Sequence, residues 1–99
     1  MGTSGVTERP PYERLRLRQG DVSWREEDFG FVLYDRRTDA LYEGNRVGRE
    51  ILHRLDEGIP IDAICTALSA RYVIPPDKAT SDVTAFLRFL VLEDLVVQW

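Results

Sequence analysis

Cysteine and histidine are almost missing from this chain of 99 residues: Cys65 is its one cysteine and His53 its one histidine. A single thiol cannot close an internal disulfide, and one thiol with one imidazole falls short of a tetrahedral metal site. No metal and no other cofactor are therefore expected. Long apolar runs are missing too. Nothing approaches the roughly 18 residues that cross a bilayer, and the opening MGTSGVTERPPYERLRLRQG has no apolar core of a secretory signal. Its Met-Gly start is not followed by the Ser or Thr spacing of a myristoylation site. These absences predict a cytoplasmic protein with no membrane partner. The chain is also short of positive charge, with 13 Lys and Arg against 17 Asp and Glu, a net charge of −4. Nucleic-acid binders carry a basic surplus that displaces counterions from phosphates, so nucleic acid is not an expected partner.

What remains is an ordinary globular composition, 43% hydrophobic and 30% charged, in a length that suits one domain. Residues 1–13 are polar and broken by Pro10 and Pro11, which predicts a flexible lead-in, with the domain itself spanning 14–99. The chain is organised around Phe29–Leu52, FGFVLYDRRTDALYEGNRVGREIL, which reads as two strands and a helix. Phe29 to Tyr34 is nearly all apolar, as in a central strand covered on both faces, and Gly30 within it signals a close approach or a bulge. After the polar loop Asp35–Asp39, Ala40-Leu41-Tyr42-Glu43 returns as the partner strand and offers an edge.

Two further segments alternate with period 2. Val22-Ser23-Trp24-Arg25 places Val22 and Trp24 on the buried side, before the polar break Glu26-Glu27-Asp28. Glu13–Arg18 alternates leucine with arginine. It is either a short edge strand with solvated Arg14, Arg16 and Arg18 or a strip that docks an acidic partner.

Three helices follow. Asn45 is a suitable N-cap for the first, whose apolar stripe is Val47, Ile51, Leu52 and Leu55, while Gly48 admits a close neighbour and Gly58 stops it. Pro60 suits the start of the second, with Ile61, Ile64, Cys65, Leu68 and then Tyr72 on one face. Cys65 lies within that stripe as a small buried hydrophobe. The third, about Asp77 to Glu93, carries a core stripe of Ala79, Val83, Phe86, Leu87 and Leu90. At about 100° per residue, Ala85, Phe89 and Leu92 fall on nearly the opposite side. This helix is either sandwiched between two layers of its own fold or offers an apolar groove. Leu95–Trp99 is a closing extended segment that adds to the sheet or packs over the helices.

Strands before three helices make an α+β fold resembling a winged helix-turn-helix, with a three-stranded antiparallel sheet. The runs VSWREEDFGFVLYD, ALYEGN, VGREIL, ICTALSARYVI and SDVTAFLRFLVLEDL, in this order, resemble the PqqD-like family over roughly Gly20 to Val97. Asp94 departs from the pattern, standing where the family often has glycine. The resemblance implies a non-catalytic recognition element for ribosomally made, post-translationally modified peptides. Such an element holds the leader region of a precursor peptide and presents it to a modifying enzyme, commonly a radical SAM protein. It implies that the leader adds as a strand beside the third strand and lies along the third helix. Carried onto this sequence, the strand side is Leu41, Tyr42 and Glu43, and the helix side is Ala85, Phe89 and Leu92 with Asp82 and Arg88 as polar neighbours.

Three other readings compete. A winged-helix DNA-binding regulator needs a basic recognition helix, yet the second helix has only Arg71 as a cation, and the third sets Lys78 and Arg88 against Asp77, Asp82 and Glu93. A small enzyme needs a nucleophile and base, and His53 stands at no usable spacing from Cys65 or Ser69. A docking subunit that contacts only its enzyme partner would use the arginine strip. An open strand edge can also pair with a second copy, giving a homodimer.

Overall fold

The computed structural model describes residues 12–99. Most of the expected lead-in lies outside them. Tyr12 and Glu13 are attached to the fold: Tyr12 packs on the core, and the Glu13 carbonyl accepts the Ile61 amide at 2.9 Å.

Eight elements follow in order: β1 (Leu15–Leu17), β2 (Val22–Glu27), β3 (Gly30–Asp35), β4 (Ala40–Gly44), α1 (Arg46–Asp56), α2 (Ile61–Tyr72), α3 (Pro76–Leu92) and β5 (Val96–Gln98). β2, β3 and β4 form an antiparallel sheet in that order, followed by the three helices, which is the expected α+β architecture. The alternating leucine–arginine segment does not join this sheet. β1 pairs with β5 in a separate two-stranded sheet, Leu15 opposite Gln98 and Leu17 opposite Val96. Each segment is too short to hold its pairing alone. Leu15, Leu17, Leu95 and Val96 are nevertheless buried together, and burying each such side chain is worth about 1.5–3 kcal/mol.

β2 runs through the expected polar break, because Glu26 and Glu27 still pair with Phe31 and Gly30. The turn is only Asp28-Phe29. Phe29 is therefore a half-exposed turn residue, not the first residue of a buried strand. Gly30 sits at φ 156°, and a Cβ there would run into the backbone of Gly44 and Asn45, so the close approach is real. Arg46 donates from Nε to the Asp28 carbonyl at 2.8 Å and Arg49 from Nη1 to the Glu27 carbonyl at 2.7 Å, tying the turn to the start of α1.

β3 is covered on one face only, contrary to expectation. Phe31, Leu33 and Asp35 are buried towards the helices, whereas Val32 and Tyr34 are half-buried on the other face. Period-2 alternation persists because α1 and α3 pack against the face that carries Phe31. Register then fixes two faces. The helix face carries Trp24, Leu33 and Tyr42 in one row. The open face carries the rows Arg25–Val32–Glu43 and Ser23–Tyr34–Leu41.

The helices end as their sequences dictate. Asn45 Oδ1 accepts the Gly48 amide at 2.9 Å, and Gly58, at φ 75°, terminates α1 with its amide on the Leu55 carbonyl. Cys65 is buried among the core side chains, and burial pushes its thiol pKa up, which favours the neutral form. Tyr72, expected on the same stripe, instead emerges to solvent. At the end of α3, Asp94 adopts φ 59°, and the Leu95 amide reaches back to the Leu90 carbonyl at 2.9 Å. Asp94 thus holds the left-handed conformation that glycine more often supplies. No helix among the described residues is long and apolar enough to cross a membrane.

Candidate functional site

Among the described residues no further strand pairs with either edge of the three-stranded sheet, and the two edges differ in chemistry. The β2 edge carries Ser23, Arg25, Glu26 and Glu27, with Arg25 on Glu27 at 2.5 Å and Glu26 on His53 at 3.0 Å. Charges of this kind blunt an edge against strand addition. The β4 edge reads Ala-Leu-Tyr-Glu-Gly, with one charge and an exposed Leu41. Among the described residues, β4 alone combines an edge paired with no other strand and a neighbouring apolar helix surface.

That surface is α3. Its core face, Ala79, Val83, Leu87 and Leu90, is fully buried. Phe86 and Phe89, which periodicity assigned to opposite sides, are both half-buried and lie in one aromatic series. Phe31 meets Phe86 at 5.6 Å between centroids, Phe86 meets Phe89 at 6.1 Å, and Phe89 meets Tyr42 edge-on at 5.3 Å. Contacts of this geometry are worth about 0.5–1.5 kcal/mol each beyond area burial. The series fits because Gly44 and Gly48 have no side chain where the Phe31 ring lies. Beyond Phe89 the outer stripe is open: Ala85, Arg88 and Leu92 are exposed, Leu92 at 75%.

The expected site residues therefore divide by face. Tyr42 lies on the helix face with Phe89, and Ala85 and Leu92 continue that surface past the sheet. Leu41 and Glu43 point to the open face, away from α3. Asp82 is engaged by Lys78 at 3.0 Å one turn earlier, while Arg88 makes no hydrogen bond or ion pair among the described residues.

Sequence reasoning missed the fastenings of this cleft. Tyr42 Oη donates to Glu93 Oε1 at 2.9 Å, a bond that raises the phenol pKa, and partial burial raises it further. A second fastening lies at the C-terminal end of α3. Arg18 donates to Asp94 through Nη2 at 2.6 Å and Nε at 2.9 Å, and Arg37 Nη2 reaches the Asp94 carbonyl at 2.6 Å. Arg37 also grips the buried Asp35 at 2.9 and 3.0 Å. These guanidinium groups hold the Asp94 and Asp35 carboxyls below the usual carboxylate range. The arginine strip is likewise occupied within the fold. Arg14 bonds the Gly58 carbonyl at 3.0 Å, and Arg14 and Arg16 lie over the Trp99 ring at 5.2 and 5.4 Å. Arg18, Arg37 and Glu93 carry no periodic signal, since charged residues at loop and helix ends look alike in any solvated surface.

The side chains of this region suit contact with an extended chain. Most of them are aromatic, aliphatic or already paired, Arg88 and Glu43 being the charged exceptions, and among the described residues no group of three or more His, Cys, Asp and Glu side chains could hold a metal. An extended peptide would gain main-chain hydrogen bonds from β4 and apolar contact from α3.

Comparison with known proteins leads to the same place. No curated protein matches the sequence. Two solved structures do match the fold. The structure of TbiB1 in complex with the TbiA(beta) leader peptide superposes with a TM-score of 0.77 at 25% identity, covering 85% of this chain and 96% of that one. A lasso peptide synthetase B1 complexed with the leader peptide gives 0.76 at 25% identity, covering 85% and 98%. The family model for coenzyme PQQ synthesis protein D matches residues 30–96, from the start of β3 into β5. Two-thirds of the sequence, including both walls of the cleft, thus carries that family's pattern, and the chain belongs to the PqqD family.

Proposed function

We propose that this protein is a peptide recognition element that binds the leader region of a ribosomally synthesised precursor as an added strand on β4. The observation that carries the reading is the pairing of one open, weakly charged edge with an exposed apolar stripe on α3. The two solved relatives, each complexed with a leader peptide, support it independently. Main-chain bonds to β4 supply affinity for any extended segment, and Tyr42, Ala85, Phe89 and Leu92 supply selectivity. Asp82 and Arg88 border the helix side, and Leu41 and Glu43 the open side.

In this reading residues 14–99, with Tyr12 and Glu13 fastened to them, are the recognition domain. The protein is non-catalytic and cytoplasmic. It presents the remainder of the precursor to a modifying enzyme, for which a radical SAM protein is the first candidate. Without a leader, the same β4 edge is available to a second copy, giving a homodimer that leader binding disperses. A leader that is disordered when free must be ordered on binding, so affinity is moderate and release is possible.

The test is titration of a fluorescently labelled peptide, covering the leader half of a precursor encoded beside this protein's gene, with the wild-type chain and with Phe89→Ala and Leu92→Asp. Saturable binding that both substitutions weaken by tenfold or more is the expected result. Unchanged affinity in both would overturn the site.

A further inference from the structure

Glu43 is an exposed carboxylate on the free edge, with no hydrogen bond or ion pair among the described residues. Its neighbours explain why it stays so. In the row Arg25–Val32–Glu43 the one cation is two strands away, roughly 10 Å at ordinary strand spacing. Arg25 is moreover already engaged by Glu27 at 2.5 Å. The other open-face row ends on the same edge with Leu41, which is 64% exposed beyond the half-buried Tyr34. Both rows stop at the edge, one on an unneutralised anion and the other on an uncovered apolar side chain.

A strand added to β4 must continue the pleat. Its residues alternate between the helix face, beside Tyr42 and below α3, and the open face, beside Glu43 and Leu41. Directly opposed side chains stand about 4.5–5.5 Å apart at Cβ, within reach of a salt bridge or an apolar contact. We propose that Glu43 and Leu41 are specificity residues for the outward-facing half of the bound peptide. Glu43 selects a lysine or arginine, and Leu41 selects an apolar residue two positions away. The residue between them turns to Tyr42 and is apolar. This rests on the proposed function above and deepens it, because it specifies a three-residue chemistry, basic then apolar then apolar in the order set by Glu43, Tyr42 and Leu41. The acidic net charge of the chain favours the same sign of ligand at long range.

A competing role for Glu43 is purely protective, a charge that keeps the edge from pairing with itself. The two roles separate experimentally. Random 12-residue peptides displayed on phage are selected on the immobilised full chain, and on its Glu43→Lys and Leu92→Asp variants. Enriched sequences are then synthesised and titrated by fluorescence anisotropy. The expected result is enrichment of a basic residue two positions from an apolar one. Replacing that residue by glutamate weakens binding about fivefold or more, and Glu43→Lys inverts the preference. Peptides that depend on Leu92 yet show no charge bias, and bind Glu43→Lys as well as wild type, would overturn the proposal while leaving the groove standing. Failure to enrich any peptide, or enrichment indifferent to Leu92→Asp, would sink the groove and the proposal together.

Discussion

Tyr42 and Phe89 meet edge to face with ring centroids 5.3 Å apart, joining the free edge strand to the helix that overhangs it. The Tyr42 hydroxyl continues the contact to Glu93. Ring and hydroxyl have separable roles. The ring forms part of the apolar wall, while the hydroxyl fixes the spacing between β4 and the end of α3. Tyr42→Phe keeps the wall, and leader affinity is expected to stay within about threefold of wild type. Tyr42→Ala removes an aromatic anchor of the kind that dominates interface energetics, and a loss of about tenfold or more is expected by fluorescence anisotropy. Equal losses in the two variants would assign the effect to the hydroxyl.

The two faces of α3 differ in what they contribute. Leu90 is fully buried, and Leu92, two residues on, is 75% exposed. Leu90→Ala is expected to lower unfolding free energy by about 2–5 kcal/mol through lost burial and the cavity left behind. Leu92→Ala should change it by no more than about 0.5 kcal/mol, while weakening peptide binding. Urea denaturation of both variants checks the first part and peptide titration the second. A large stability loss at Leu92 would mean that this side chain belongs to the fold and not to a binding face.

Period and punctuation made most of the architecture legible. Asn45 and Gly58 bracket α1 where expected, and the stripes of α1 and α2 are buried except for the half-buried Val47 and the exposed Tyr72. The hairpin of β3 and β4 lies where the polar loop put it. Misreadings arose where composition and topology diverge. The apolar run Phe29–Tyr34 suggested a strand buried on both sides, but Phe29 is exposed in the turn and Val32 and Tyr34 are only half-buried. Assigning Phe86 to the core stripe of α3 and Phe89 to the outer one put them on opposite sides, yet residues three apart stand only about 60° apart on a helix and are neighbours at the border of the two stripes. The strand at Leu15–Leu17 was visible, but its partner was not. Pairing with β5 is a contact between the two ends of the domain, and local sequence does not encode it.

Val73 stores strain at the end of α2. It adopts φ 51° and ψ 53° and is 88% exposed, while the Ile74 amide reaches back to the Ser69 carbonyl at 3.1 Å. The left-handed conformation costs an L-residue about 1–2 kcal/mol and suits a β-branched one least. No burial offsets that cost here. Val73→Gly removes the steric penalty but increases the freedom of the unfolded chain. A net gain of about 0.5–1 kcal/mol is expected, seen as a higher urea midpoint with unchanged slope. A lower midpoint would show that the valine makes a compensating contact.

The arginine fastening predicts a pH dependence. Arg18 and Arg37 hold the Asp94 carboxyl below its ordinary range, and Arg37 does the same for Asp35. Folded pKa values lie below unfolded ones for both groups. Their contribution is therefore complete above the unfolded carboxylate range, about pH 4, and is lost as pH falls through the depressed folded values. Arg37→Gln removes the shared cation and leaves the buried Asp35 without its main partner. At neutral pH the variant should be less stable than wild type, and the gap should narrow as pH is lowered from about 5 towards 2. The Glu26 carboxyl, lowered by its bond to His53, titrates in both proteins and cancels in the comparison. Urea midpoints at a series of pH values measure the gap, and one that stays constant across this range would rule out the carboxylates as its source. Because Arg37 also ties the loop after β3 to the end of α3, the same variant should loosen the cleft and weaken peptide binding at neutral pH.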